Sequence, residues 1–322
     1  MSVMELNSQF DELSPKIMEI LLRAGLVTDK AILETPECDL LNLGSITLAD
    51  VKQIHNVVAK RSKPTDFISG DQLVNSCNRR WGRLSTGCSQ LDSFLQGGVL
   101  TRGITELSGQ SGCGKTQLCL QLALTVQLPT TSCGLDAGAV FICTEDRFPS
   151  IRLNQLLKTS PVAQKFPNIK FGNNIFVEHI GDTADLMRCV SMRLPQLMKQ
   201  HRVGLVVVDS VAGVFRADYT TAESLQRARD LRTFASQLHL VANMYSTAVI
   251  CVNQVSDIRK GEVTQTVPAL GLAWANLVTC RLQMFRNNDL RHLQIVFSPH
   301  LPQQSRQYTI TSAGVVGHLT TM

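Results

Sequence analysis

The chain contains no C-x-x-C pair among its 10 cysteines. That spacing frames most zinc sites and dithiol redox centres, so its absence argues against both. Cys143, Cys251 and Cys280 instead sit inside apolar runs, where cysteine acts as a small core hydrophobe in a reducing compartment. No apolar run reaches about 18 residues, so no transmembrane helix is expected. The start, Met1-Ser2-Val3-Met4-Glu5-Leu6, lacks a basic stretch followed by an apolar one, so no signal peptide is expected either. Runs of Lys and Arg, internal repeats and low-complexity tracts are also missing. The formal net charge of +5 is only a mild basic excess, which permits nucleic-acid binding without demanding it. The 322 residues suffice for one large α/β domain plus a small one.

What is present is a phosphate-binding loop. Gly109-Gln110-Ser111-Gly112-Cys113-Gly114-Lys115-Thr116 fits G-x-x-x-x-G-K-[ST] at every fixed position. A polyphosphate needs several N–H donors converging on one point, and glycines permit the tight turn that aims them. Lys115 is placed to reach the β- and γ-phosphates and the Thr116 hydroxyl to bind Mg²⁺. The flanks agree. Gly103 to Ser108 is short and carries β-branched residues, as a strand does, and Gln117 to Gln127 has helical periodicity that stops at Pro129.

Residues 1–62 read as a small all-helical N-terminal domain. Ser14-Pro15 caps a helix closed by Gly25, short helices follow at Asp29–Leu33 and Cys38–Leu41, and another runs through Val51 to Val58. The turn Asn42 to Thr47 gives the outline of a helix-hairpin-helix, which offers N–H groups to DNA phosphates; a protein-docking bundle has the same outline. Residues 63–84 read as a linker in which Phe67 stands out. From 85 to 322 strands and helices alternate, which argues for a core with a mostly parallel sheet. A single helix is expected over Thr183 to Gln200, and no periodicity over Val255 to Ala269.

In such sheets ligands bind at the carboxyl ends of the strands. Asp209, closing the apolar strand from Val203, suits a Mg²⁺-orienting acid or a helix cap. Glu145, after the strand Ala139 to Thr144, suits a general base or a surface acid. Asn253-Gln254, after the strand Thr247 to Val252, suits a γ-phosphate sensor or a turn. Arg259 and Lys260 lie in one following segment, Arg216 and Tyr219 in another, with Arg227 and Arg229 on the next helix. These basic stretches suit single-stranded DNA phosphates, with Tyr219 available for stacking, or solvated surface.

Together these residues resemble the RecA-type recombinase family in its eukaryotic branch. The extended signature runs Ser85-Thr86-Gly87-Cys88, Leu91-Asp92, Gln96-Gly97-Gly98, the phosphate loop with Gln117, Gln127-Leu128-Pro129, Thr144-Glu145, Arg152-Leu153, Asp209-Ser210 and Asn253-Gln254-Val255. Pro268 to Asn276 looks like the version carried by recombinase paralogues. The resemblance implies a RecA-type P-loop ATPase core and ATP with Mg²⁺ as cofactors. It implies that Gly109 to Gln117 and Arg152 bind nucleotide, with Lys115, Glu145 and Gln254 catalytic. It also implies homologous-recombination repair in a heterodimer with another recombinase paralogue. Single-stranded or branched DNA and the main recombinase filament would be further partners, and the nucleus the location, with some cytoplasmic pool. Three departures stand out. The second DNA loop is short and differently composed, so its DNA contacts do not carry over residue by residue. Asp146 follows the catalytic Glu where the family has Gly, and Phe67-Ile68-Ser69-Gly70 has Gly70 where the family's subunit-docking Phe-x-x-Ala has Ala.

Overall fold

The computed structural model describes residues 13–26, 28–62, 69–72, 82–260 and 263–318. The chain divides into two compact units, Met1–Ser76 and Cys77–Met322. The expected linker falls largely outside the described residues.

Among the described residues the first unit includes α1 (Pro15–Arg23), α2 (Asp29–Glu34), α3 (Glu37–Leu41) and α4 (Leu48–Ser62). The Ser14 and Thr28 side chains accept from Ile17 N and Ala31 N, satisfying amide groups that the first turns of α1 and α2 leave free. Thr47 and Asp50 exchange hydrogen bonds at the start of α4 in the manner of a capping box. Ile17, Leu21, Ile32, Leu40, Val51, Ile54 and Val58 form a separate small core.

The second unit begins with β1 (Arg83–Leu84), α5 (Ser89–Phe94) and β2 (Val99–Leu100). It continues through β3 (Ile104–Gly109), α6 (Lys115–Thr125), β4 (Gly138–Cys143), α7 (Ser150–Thr159), α8 (Pro161–Lys165) and β5 (Ile175–His179). Next come α9 (Thr183–Arg188), α10 (Leu194–Gln200), β6 (Val203–Asp209), α11 (Val211–Ala217), α12 (Ser224–Tyr245) and β7 (Ala248–Asn253). The last elements are β8 (Val255–Lys260), β9 (Val263–Pro268), α13 (Gly271–Ala275), β10 (Cys280–Asn287), β11 (Leu290–Phe297), β12 (Ser305–Thr311) and β13 (Gly314–Gly317). One nine-stranded sheet carries the order β13-β12-β11-β10-β3-β7-β6-β4-β5. It is parallel from β10 through β3, β7, β6 and β4 to β5, and antiparallel from β10 to β13.

The central strands β3, β4 and β7 are buried along their whole length. Alternate residues face opposite cores: Leu205 and Val207 pack with α5, α6 and α7, whereas Val206 and Val208 pack with α9 to α12. Burial on both faces is why these strands read as continuous apolar runs. Among the described residues no helix is long and apolar enough to cross a membrane.

Two expectations are corrected. The helix over Thr183 to Gln200 is broken by a π-turn at Cys189–Arg193 between α9 and α10. Pro195 explains this: it has no N–H to give and its ring collides with the carbonyl four residues back. Residues 255–260 and 263–268, expected to lack periodicity, form an antiparallel ribbon in which Val255 pairs with Pro268 and Lys260 with Val263. Val255, Ile258, Val263, Thr264, Thr266 and Val267 are β-branched, and that propensity outweighed the missing alternation.

Candidate functional site

The carboxyl ends of β3, β4, β6 and β7 open onto a cavity of about 900 Å³, which Lys115, Glu145, Asp209 and Gln254 line. The loop between β3 and α6 forms one wall. Gly109, Gly112 and Gly114 have φ of 155°, 75° and 103°, values that only glycine adopts without strain. A Cβ on Gly109 would lie 2.2 Å from the Met284 carbonyl, because β3 and β10 pair at that residue. The glycines thus keep the loop tight at the N-terminus of α6, whose dipole favours an anion.

Lys115 folds its ammonium onto the loop, donating to the Gly109 and Gln110 carbonyls at 2.8 and 3.0 Å. Burial lowers its pKa, while Asp209, Cys113, Cys119 and Glu145 act the other way. The Thr116 hydroxyl donates to Asp209 Oδ2 at 2.7 Å. Burial raises the Asp209 pKa, with Thr116 and Lys115 opposing it and Glu145 and Asp146 adding to it. Lining from the loop amides, a flexible cation, and hydroxyl and carboxylate oxygens at one point suit a polyphosphate with Mg²⁺, a hard cation that prefers oxygen ligands.

Across the cavity, Gln254 Nε2 donates to both Glu145 oxygens at 2.8 Å, and Arg216 donates to Gln254 Oε1 at 3.3 Å. A Cβ on Gly213 would fall 2.5 Å from Glu145 Cγ, so α11 needs glycine there to admit the acid. Arg152 donates to Gln117 Oε1 and to the carbonyls of Thr311 and Ser312, at 2.6, 2.7 and 2.9 Å, tying α6 and α7 to the β12–β13 turn. Cys113 is buried behind the loop, where its carbonyl accepts from the Tyr308 hydroxyl.

The structure therefore brings together the loop residues Gly109, Gln110, Ser111, Gly112, Gly114, Lys115, Thr116 and Gln117 with Glu145, Arg152, Asp209 and Gln254. Asn253 is turned away. It is buried, and its amide donates to Glu106 Oε1 and the Ala269 carbonyl. Of the basic residues, Arg216 is exposed near Gln254, and Arg227 and Arg229 lie on α12 outside the cavity lining. Tyr219 is not free for stacking as expected. Its half-buried ring lies parallel to Phe215 at 6.2 Å and its hydroxyl donates to Asp230. The backbones of Arg259 and Lys260 belong to β8, and their side chains fall outside the described residues. So does Phe67; Gly70 is exposed, with open space where a Cβ would go.

Three features escaped sequence reading. Glu106, wholly buried on β3, pairs with Arg281 on β10 and with Asn253, beneath the cavity. Its signal was a carboxylate in the middle of the short strand that leads into the phosphate loop. Asp92 accepts from Ser85, Thr86 N and Thr86 Oγ1, which explains the need for Ser85, Thr86 and Asp92 at that spacing. Arg291 on β11 lines the cavity, and nothing local in the sequence marked it.

The family model described as Rad51 matches residues 79–318. The mouse DNA repair protein XRCC3 is 36% identical over 336 residues, spanning 95% of this chain and 96% of its own length. Bovine DNA repair protein XRCC3 is 37% identical over 329 residues, with the same coverage of 95% and 96%. The DNA repair and recombination protein RadA of Aeropyrum pernix is 31% identical over 306 residues, covering 94% of this chain and 93% of RadA. With the family match spanning the nine-stranded sheet and its phosphate loop, the chain belongs to the Rad51 family of RecA-type ATPases, as an XRCC3-like paralogue.

Proposed function

We propose that this chain is an ATP-binding recombinase paralogue of homologous-recombination DNA repair, working in the nucleus in a heterodimer with another paralogue, on single-stranded or branched DNA. The observation that carries the reading is the convergence of Lys115, Thr116, Asp209, Glu145 and Gln254 on one cavity, in a chain that matches proteins named for DNA repair along nearly its whole length. Lys115, now on two carbonyls, would bind phosphate oxygens, and Thr116 with Asp209 would hold the metal. Bound Mg²⁺ supplies charge neutralisation at the phosphates. Glu145 accepts a proton from the attacking water at a carboxylate oxygen, and Gln254, beside it, orients that water. Arg152 fixes the far rim through its contacts with Gln117, Thr311 and Ser312.

A second reading, a nucleotide-gated assembly adaptor with little hydrolysis, is favoured by one observation. Gln254 occupies both oxygens of Glu145, and Asp146 adds a second carboxylate beside it. The first occupies the proton acceptor, and the second places like charge near the phosphates, which slows hydrolysis. The test is Glu145→Gln in the purified heterodimer, since Gln keeps the shape and cannot take the proton. ATP binding is expected to persist while DNA-stimulated turnover falls 100-fold or so, in line with the usual contribution of a general base. A measurable wild-type turnover left unaltered in the variant would contradict the assigned role of Glu145, and a wild type that binds ATP but turns it over no faster than the buffer background would select the adaptor reading.

A further inference from the structure

The tip of the β10–β11 hairpin carries two like charges that the chemistry above does not use. The strands join through Asn288 and Asp289, both at positive φ (47° and 63°), a turn whose twist matches that of the strands it connects. Just inside it, Arg286 pairs with Arg291, and Arg291 pairs with Tyr308 on β12. Residues directly opposite share a face, with Cβ atoms about 4.5–5.5 Å apart. That face looks toward the phosphate loop. Met284 and Leu293, the next residues inward on the same side, join the core around α6, and the Tyr308 hydroxyl donates to the Cys113 carbonyl within the loop. Burial dominates the Tyr308 pKa and raises it, yet Arg291 and Arg286 both lie near enough to pull it down.

Like charges set opposite each other destabilise a sheet, and a guanidinium N–H buried without an acceptor adds its desolvation cost. Asp289 does not resolve this. Its carboxylate is 3.7 Å from Arg286, fully exposed, and screened by water. Among the described residues Arg291 has no hydrogen-bonding or ionic partner, and its Nε is buried and unpaired. Arg291 also lines the cavity, as Ser111, Gly112 and Ile310 do. Two opposed guanidiniums at the edge of a polyphosphate-type cavity call for an anion arriving through that cavity.

We propose that Arg291, backed by Arg286, is a further phosphate-binding residue of this site and reaches a nucleotide phosphate from the hairpin side of the loop. The inference rests on the nucleotide reading of the cavity. A planar guanidinium suits the task because its fork matches two phosphate oxygens at once.

The experiment uses the full chain. Arg291→Gln and Arg286→Gln are titrated with MgATP and with adenosine, and each is melted without ligand. In Arg291→Gln, ATP affinity should fall about tenfold, or about 1.4 kcal/mol, with adenosine affinity unchanged. The ligand-free melt should hold or rise, because the opposed charges are relieved; a residue of purely structural value would lower it. Arg286→Gln, exposed and safe for folding, should lose ATP affinity by a smaller factor, and unchanged ATP affinity there would overturn the pair's role even if Arg291→Gln failed to fold. Unchanged ATP affinity in Arg291→Gln, with Lys115→Ala still defective, overturns the inference and leaves the nucleotide reading standing. Parallel loss of adenosine overturns it as well, since the residue would then hold the cavity's shape. Lost single-stranded DNA affinity with intact ATP affinity would likewise overturn it and assign the pair to DNA phosphates.

Discussion

At the scale of single residues, one histidine gives a signed pH prediction. Arg83 donates to His300 Nε2 at 2.9 Å, and arginine has no lone pair to offer in return. His300 is therefore neutral there, with its proton on Nδ1 facing Ser298 Oγ at 3.1 Å. Burial and then the Arg83 charge hold its pKa below 6.5. Because the folded value lies below the unfolded one, the unfolded chain takes up the proton first as pH falls. The stabilising share of His300 is complete above about pH 6.5 and shrinks as pH drops through that value toward the folded pKa. Melting the wild type and His300→Gln at pH 7.5 and 5.5 tests this: the wild type should lose more of its melting temperature on acidification than the variant. Equal losses would mean that His300 does not titrate with unfolding. The carboxylates that line the cavity were easier to read from sequence than this contact. Glu145 and Asp209 each end an apolar strand, so local pattern exposes them. Arg83 and His300, or Glu106 and Arg281, are brought together only by the order of strands, which no local window contains.

At the scale of elements, the phosphate loop is held by backbone contact between β3 and β10. A Cβ at Gly109 would meet the Met284 carbonyl at 2.2 Å, whereas a Cβ at Gly112 meets nothing within 4 Å. Gly109→Ala should therefore destabilise the second unit by roughly 1–3 kcal/mol from overpacking alone, on top of a φ that alanine resists. Gly112→Ala should cost only its left-handed backbone, about 1–2 kcal/mol. Thermal melts should rank Gly109→Ala below Gly112→Ala, and the reverse order would contradict the β3–β10 pairing. The central strands were legible because burial on both faces leaves an unbroken apolar run, as at Val203 to Val208. The ribbon of β8 and β9 was not, because two strands paired only with each other leave no core-facing alternation to read. The π-turn at Cys189–Arg193 came from Pro195, a breaker visible in the sequence but set within an otherwise regular helical pattern.

At the scale of the whole molecule, the mild formal charge of +5 makes DNA binding a matter of local patches. If Arg216, Arg259 and Lys260 each neutralise a single-strand phosphate, each contributes about 0.7 to the slope of log affinity against log salt. The triple alanine variant should then flatten that slope by about 2. An unchanged slope would move the DNA surface elsewhere. The central claim, that the cavity at the ends of β3, β4, β6 and β7 is an ATP site, is tested most directly by nucleotide affinity itself. A fluorescent ATP analogue titrated with Mg²⁺ into the full chain should bind the wild type. It should bind Lys115→Ala at least about tenfold more weakly, because a charge-assisted contact to phosphate is worth about 1.5–3 kcal/mol. Equal affinity in the two proteins, or no binding by the wild type, would contradict the account.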